Sequence, residues 1–383
     1  MKKVGWLVFA LVGFTLHSVA QPDQSEDSLL CSGQFSAWSH YNSYNRYPVQ
    51  LGGRYIPQLN YEWHLPERKQ LDLEASANIY GDSHIRKGYE VKTQGKIKPY
   101  RGWVRFSSTQ FELRAGLQKI NFGSASMLRP LMWFDRIDPR DPLQLTDGVW
   151  GLLGRYYFLN NANIWLWGLY GNLDAKGWEM VPTRKGIPEF GGRIQMPIPS
   201  GEAALTYHYR QADSRKRQQM MPVYSRIPEH RLGFDARVDV GVGLWAEGAW
   251  AGKMKDLGPF THQQTISVGM DYTFGMGNGL GMTLEHLLAA YDDRAFSFDD
   301  PIHFSAWSLN YPVGLFDRLF LLFYHDWNND HLYSFFNWER QYQAVTLHLM
   351  AYWNPLQYNL PLQGSAQNFF AGKGIQIMFV FNH

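Results

Sequence analysis

The side chains best suited to act on another molecule here are arginines and carboxylates that recur at alternate positions of short segments. One set is Arg101, Arg105, Arg114, Arg155, Arg193, Arg210, Arg231 and Arg237. A second is Glu62, Asp72, Glu74, Asp235, Asp239, Glu247, Asp271 and Glu285. A third group sits in the stretch GSASMLRPLMWFDRIDPRDPLQLTDG, residues 123–148. It holds Arg129, Asp135, Arg136, Asp138, Arg140, Asp141 and Asp147, stiffened by Pro130, Pro139 and Pro142. Guanidinium groups stay charged and offer planar donor forks to carboxylate, phosphate or sulfate. The chemistry on offer is therefore electrostatic: binding and guiding ions, with no bond making.

Motifs for covalent or metal chemistry are missing. The chain contains no HExxH, GxSxG, P-loop or CxxC pattern. Gly123-Ser124-Ala125-Ser126-Met127 fails the serine-elbow spacing. Gly275-Met276-Gly277-Asn278-Gly279 reads as a hairpin turn, where glycine supplies positive φ, in preference to a nucleotide loop. His208 and His348 fall on the same face as the arginines and could belong to a lipase-like Ser/His site, the less favoured expectation. Asp326-Trp327-Asn328-Asn329-Asp330 has the D-x-N-x-D spacing of calcium ligands, without the following glycine or distal glutamate, and reads as a solvated turn. The expectation is a protein that is not an enzyme and needs no cofactor or metal.

The elements that must position these charges are strands. Leu71, Leu73, Ala75, Ala77 and Ile79 alternate with Asp72, Glu74, Ser76 and Asn78. Leu232, Phe234, Ala236, Val238 and Val240 alternate with Arg231, Asp235, Arg237 and Asp239. Ile266, Val268, Met270, Tyr272 and Phe274 alternate with Thr265, Ser267, Asp271 and Thr273. Side chains alternate faces along a strand, so each segment has an apolar and a polar wall. A soluble sandwich would pack its apolar walls against a second sheet. An outer-membrane barrel turns them to lipid and lines its lumen with the polar wall.

Residues 1–20 resolve that choice in favour of export. Lys2 and Lys3 precede an apolar run, Val4 to Leu16, too short to span a bilayer, and Ser18-Val19-Ala20 gives a small-residue cleavage site. Without a longer apolar run, the chain is either soluble outside the cytoplasm or a closed barrel. Losing Lys2 and Lys3 from 36 basic residues leaves 34 against 34 acidic ones. Zero net charge excludes a typical nucleic-acid binder. Aromatic residues make up 16% of the chain, as interfacial girdles require. Cys31 is the only cysteine, so no internal disulfide is possible. Leu29-Leu30-Cys31 is a poor lipidation box, and Cys31 reads as a free thiol.

Short connections alternate with long ones. The short ones lie near 66–68, 108–109, 160–161, 200–202, 241–243, 275–278, 313–316 and 341–342. The long ones cover about 81–97, 123–148, 172–187, 212–229, 253–263, 290–302, 327–331 and 354–371. Barrels of this kind have short periplasmic turns and long extracellular loops. An upward first strand, Gln34 to Ser43, completes an even count of eighteen, wide enough for an aqueous channel unless loops plug it. The predicted organisation is a signal at 1–20, a short periplasmic segment at 21–33 and an all-β, antiparallel transmembrane barrel over 34–383. Ile164 and Leu166 alternate with Trp165 and Trp167, so strand seven is apolar on both faces, as is strand sixteen. A loop inside the lumen would cover them.

Gly116-Leu117-Gln118-Lys119-Ile120-Asn121-Phe122-Gly123, Leu128-Arg129-Pro130 and Asp138-Pro139 resemble porin-like outer-membrane barrels of the alginate-export type, over roughly 110–160. The long, stiff, charged 123–148 loop also resembles the constriction loop of general porins. The resemblance implies a bacterial outer-membrane channel for passive diffusion of small polar or anionic solutes, narrowed by that loop. Arginines facing carboxylates would set a field across the pore, or the two sets would neutralise one another as bracing salt bridges; both can hold. Export of an anionic polysaccharide and a non-conducting structural or assembly barrel are the alternatives. Expected partners are the lipid bilayer, lipopolysaccharide, small polar or anionic solutes and the outer-membrane insertion machinery.

Overall fold

Among the described residues, eighteen strands follow one another in chain order, each antiparallel to its neighbours. The computed structural model describes residues 27–86, 90–217, 219–356 and 370–383. The expected signal at 1–20 lies outside the described residues, as do 21–26 of the following segment and parts of three expected loops, 87–89, 218 and 357–369. The strands are β1 (Ser28–Asn42), β2 (Val49–Leu65), β3 (Lys69–Ile85), β4 (Val91–Ser107), β5 (Phe111–Gln118), β6 (Val149–Tyr157), β7 (Asn163–Leu169), β8 (Glu189–Ile198) and β9 (Gly201–Ala212). They continue as β10 (Ile227–Asp239), β11 (Gly243–Lys253), β12 (His262–Phe274), β13 (Leu280–Asp292), β14 (Ile302–Pro312), β15 (Asp317–Asp326), β16 (His331–Gln341), β17 (Val345–Trp353) and β18 (Lys373–Asn382).

The sheet closes on itself. β18 pairs with β1 from Gln34 opposite Asn382 to Asn42 opposite Gly374. Closure satisfies ladder N–H and C=O groups within the sheet, which is what lets strands cross a bilayer. No helix of the described residues is long and apolar enough to cross a membrane. The apolar walls face outward: Leu73, Leu205, Leu232, Ile266 and Phe379 are all exposed, Leu205 by 64%. An exposed apolar surface wrapped around a whole protein belongs in lipid. Chain geometry explains the tight turns at one end. Between β8 and β9 only Pro199 and Ser200 intervene; proline presets the first turn residue and Ser200 takes φ 60°.

Two expected boundaries move. The 81–97 segment is no long loop: β3 and β4 stay paired up to Ile85 opposite Val91. β1 starts at Ser28, inside the expected periplasmic segment, and pairs there with Glu62 of β2. The cause is the same in both places. Above and below the lipid, the outer face need not be apolar, so the period-2 signal vanishes while the backbone ladder continues. At about 3.4 Å per residue, seventeen-residue strands such as β2, β3 and β4 exceed what a tilted crossing of a roughly 25 Å apolar band needs.

Inside, the barrel is part filled. Ile120, Phe122, Leu131, Trp133 and Phe134 pack against Leu153, Trp167 and Leu169. Met127, Leu128 and Trp178 pack against Leu287, Phe304, Leu322, Tyr333 and Phe335. The strands that are apolar on both faces, β7 and β16, are thus covered on the inside by connecting segments.

Candidate functional site in the barrel lumen

Register assigns the inner face strand by strand. Asp72 stands opposite Arg105, Ser76 opposite Arg101, Arg105 opposite Arg114 and Glu112 opposite Arg155. Farther round, Trp165 faces Arg193, Arg231 faces His208, Glu229 faces Arg210, Asp235 faces Glu247, and Gly269 faces Glu285. Directly opposed residues share a face. All eight arginines of the sequence set therefore point inward, together with Glu62, Asp72, Glu74, Asp271 and Glu285.

The connection from β5 to β6, residues 119–148, enters the lumen and is fastened there by two carboxylates. Glu285 on β13 accepts the backbone N–H groups of Ser126, Met127 and Leu128 at 2.6, 2.9 and 2.6 Å, and the Ser126 hydroxyl at 3.0 Å. Glu247 on β11 accepts the N–H groups of Ala125 and Leu131 at 2.9 and 2.5 Å. Both glutamates are buried. Gly123, at φ 101°, is where the loop crosses Glu247: a Cβ there would lie 2.5 Å from its carboxylate oxygen. Loop segments without regular structure leave backbone donors unpaired, and buried donors need acceptors. The two glutamates supply them.

A second connection, 170–188, folds in over the first. Gly177 at φ 43° meets the carbonyl of Met132 so closely that a Cβ would sit 1.6 Å from its oxygen. The Trp178 indole N–H donates to the Arg129 carbonyl at 2.9 Å. Glu179 of this segment pairs with Arg210 at 3.2 Å and Arg231 at 2.9 Å, and Glu229 pairs with the same two arginines at 2.7 Å each. Lys176 reaches Glu189 at 3.1 Å, which also pairs with His208 at 3.1 Å. In this dry setting a charge left without its partner is costly, so the network holds the segment in place.

Most of the arginine set is thereby neutralised. Arg193 forks onto Asp235 at 2.5 and 2.9 Å. Arg105 pairs with Asp72 at 2.6 Å, Arg237 with Asp271 at 2.8 Å, and Arg114 and Arg155 share Glu112 at 3.0 and 3.5 Å. The expected arginine and carboxylate walls do not stand apart across the pore; seven of the eight arginines lie beside a carboxylate. Arg101 differs, donating to the carbonyls of Tyr100 and Thr146 at 2.6 and 3.0 Å.

What stays open lies between β2–β4 and the infolded connections and reaches Ala289 and Tyr291 of β13. A cavity of about 1260 Å³ runs there, lined by Arg54, Asn78, Lys96, Lys98, Arg136 and Asp141 among others. Arg54 lies over the rings of Trp38 and Tyr80 at 5.6 and 5.5 Å. Arg136 donates to the Ala175 carbonyl at 2.5 Å. Lys98 pairs with Asp147. Among the described residues Lys96, Arg136 and Arg217 line the cavity without an ion pair, Arg54 lies near Asp141, and Asp174 is an unpaired carboxylate, so cations outnumber carboxylates among the groups left to meet a solute. Asp141 offsets part of that excess. Burial pushes its carboxyl up from the ordinary value, while the N–H groups of Leu143 and Leu145 and the nearby Arg54 pull it back.

The six loop residues singled out from sequence divide accordingly. Arg136 and Asp141 line the open cavity, and so does one side of Asp135. Arg129, 5% exposed, holds Asp135 at 3.1 Å and so braces the loop itself. Arg140 pairs with Asp138 at 2.7 Å and stacks over the Phe370 ring at 4.6 Å. Asp326, of the calcium-like spacing, accepts the N–H groups of Asn328 and Asn329, capping its own turn. Sequence reasoning passed over Lys92, Lys96 and Lys98, whose alternate spacing was the available signal, because they fell in the supposed 81–97 loop. It also passed over Glu179, which sits in an irregular segment with no period to reveal it.

The chain matches no protein-family model and no curated protein. It is similar to solved barrels. Against Pseudomonas aeruginosa OccK7 (OpdD) the TM-score is 0.55 at 10% identity, over 94% of this chain and 99% of the other. Pseudomonas aeruginosa OccK5 (OpdH) gives 0.55 at 9%, over 92% and 97%. Acinetobacter baumannii OccAB1 gives 0.53 at 8%, over 93% and 95%. At such identities the likeness is one of fold: an eighteen-stranded barrel resembling known bacterial porins.

Proposed function

We propose that this chain is an outer-membrane channel for passive diffusion of small polar solutes, with anions favoured, and that 119–148 is its constriction. The observation that carries this reading is the pair of lumen glutamates, Glu247 and Glu285, holding the loop against one side of the barrel. Between the loop and β2–β4 a cavity of about 1260 Å³ remains. A water-filled passage beside fixed guanidinium and ammonium groups raises the local anion concentration. No covalent step is needed, and the residues act by charge alone. The bilayer, with its lipopolysaccharide, surrounds the apolar outer wall, and the insertion machinery would meet the last strand, where Ile375, Ile377, Phe379 and Phe381 face outward.

The test is single-channel recording of the refolded protein in a planar bilayer under a salt gradient. Discrete steps with an anion-favouring reversal potential are expected. Replacing Arg54, Lys96 and Arg136 together by glutamine should move that potential toward zero. Silence from a heat-modifiable barrel would overturn the channel reading in favour of a structural barrel. An unchanged reversal potential would remove the role given to these cations.

A further inference from the structure

We propose that the upper edge of β4, residues 91–97, is a docking site for an extended acidic segment of another polypeptide, which adds a strand to the barrel wall. The barrel is closed only over the height its strands share. β4 pairs with β5 from Gly102 opposite Leu117 to Ser107 opposite Glu112. Beyond Gln118 the chain turns into the lumen as the 119–148 loop. Val91 to Arg101 therefore pairs with β3 on one side and with no described strand on the other. All seven residues from Val91 to Ile97 are exposed.

The backbone groups on this edge can be assigned. The Arg86 N–H donates to the Glu90 carbonyl at 2.9 Å, which makes Arg86 and Glu90 a hydrogen-bonded pair. Antiparallel pairs alternate between bonded and non-bonded. Lys92, Gln94 and Lys96 then bond to His84, Asp82 and Tyr80, and the N–H and C=O groups of Val91, Thr93, Gly95 and Ile97 point away from β3. They form an open template about 20 Å long, the geometry that extended peptides use when they add to a sheet edge.

Side chains select the occupant. Lys92 and Lys96 project to the mouth side, and neither has a carboxylate partner among the described residues. On the outer side, Val91 and Ile97 are exposed by 55% and 72%. Directly opposed and diagonal neighbours interact across a ladder. An added strand that alternates carboxylates with apolar residues would meet lysines on one face and Val91 and Ile97 on the other. A second copy of the same edge would set lysine against lysine, so self-pairing is disfavoured.

The experiment uses the full-length barrel in lipid nanodiscs and a fluorescein-labelled eight-residue peptide of alternating valine and glutamate, read by anisotropy. Saturable binding is expected, with none for the same peptide carrying lysine for glutamate. Thr93→Pro removes an edge donor that β3 does not use, so the β3–β4 ladder survives. Binding should weaken by roughly tenfold, the upper range for one hydrogen bond. Folding is checked by heat-modifiable migration. A peptide N-methylated at alternate residues along its pairing edge should not bind the unaltered barrel, which tests the same contact without a mutation. No saturable binding, equal binding of the lysine peptide, or full binding by Thr93→Pro would overturn the proposal. The edge would then be merely one blunted by its lysines and Pro99. No conductance enters the readout, so the outcome is independent of the channel reading.

Discussion

Glu285 receives four donors from one loop, three of them backbone N–H groups, and a carboxylate is the side chain with lone pairs enough to meet them. Glu285→Gln would aim an amide NH2 at groups that are themselves donors. Each buried donor so orphaned costs about 1–3 kcal/mol, more than an exposed loop would lose. The expected result is a lower melting temperature and a larger, flickering conductance as residues 125–131 leave the wall; steady unitary steps of normal size would refute the latch. Asp141 makes a pH prediction. Its raised value means that it takes up a proton before the ordinary carboxylates as the pH falls. The cavity then loses a negative charge beside Arg54, and anion preference should rise with acidification. Asp141→Asn should show the higher preference already at neutral pH and lose that early part of the response. Reversal potentials measured across the acid range decide it. Alternation made the inward direction of the arginines legible in the sequence. Their pairing was not legible, because partners such as Glu179 come from a segment whose position depends on the folded whole.

At the scale of elements, two infolded connections behave as one unit. The contact between Gly177 and Met132 admits no side chain, so Gly177→Ala should lift 170–188 off 119–148 while the strands stay paired. Limited proteolysis is the check: faster cleavage within 170–188 in a barrel that still migrates as heat-modifiable. An unchanged cleavage rate would mean that the buried ion pairs of Glu179 and Lys176 suffice to hold the segment. The doubly apolar strands β7 and β16 announced that something covers them inside, and that inference needed only period-2 reasoning. The extended tops of β3 and β4 could not be read in the same way. Beyond the lipid, Ser83, Thr93, Gly81 and Gly95 interrupt the outer face between Val91 and Ile97, so the apolar alternation breaks while the ladder continues.

For the whole molecule, the partition between lipid and lumen is the governing constraint. Leu232, near the middle of β10, faces outward and is exposed. Leu232→Arg should cost about 2–4 kcal/mol of insertion if it lies at the midplane, and less toward either rim. The folded fraction in liposomes, read from gel mobility, reports it; full insertion would argue that this wall does not meet acyl chains. The eighteen-strand count was legible because turns and strands alternate along the whole chain, whereas the route of the lumen loops was not, being set by contacts between distant residues.

That distance has a temporal meaning. Ser126 and Glu285 are separated by 159 positions. The glutamates that hold 125–131 in the lumen are carried by β11 and β13, so they cannot receive it until those hairpins exist. Closing so long a chain segment is entropically slow to reward. Seating of the loop is therefore a late event in assembly. If 119–148 is the constriction proposed above, a barrel that closes before the loop is seated is the less obstructed form, and a cell would meet it first as a leak.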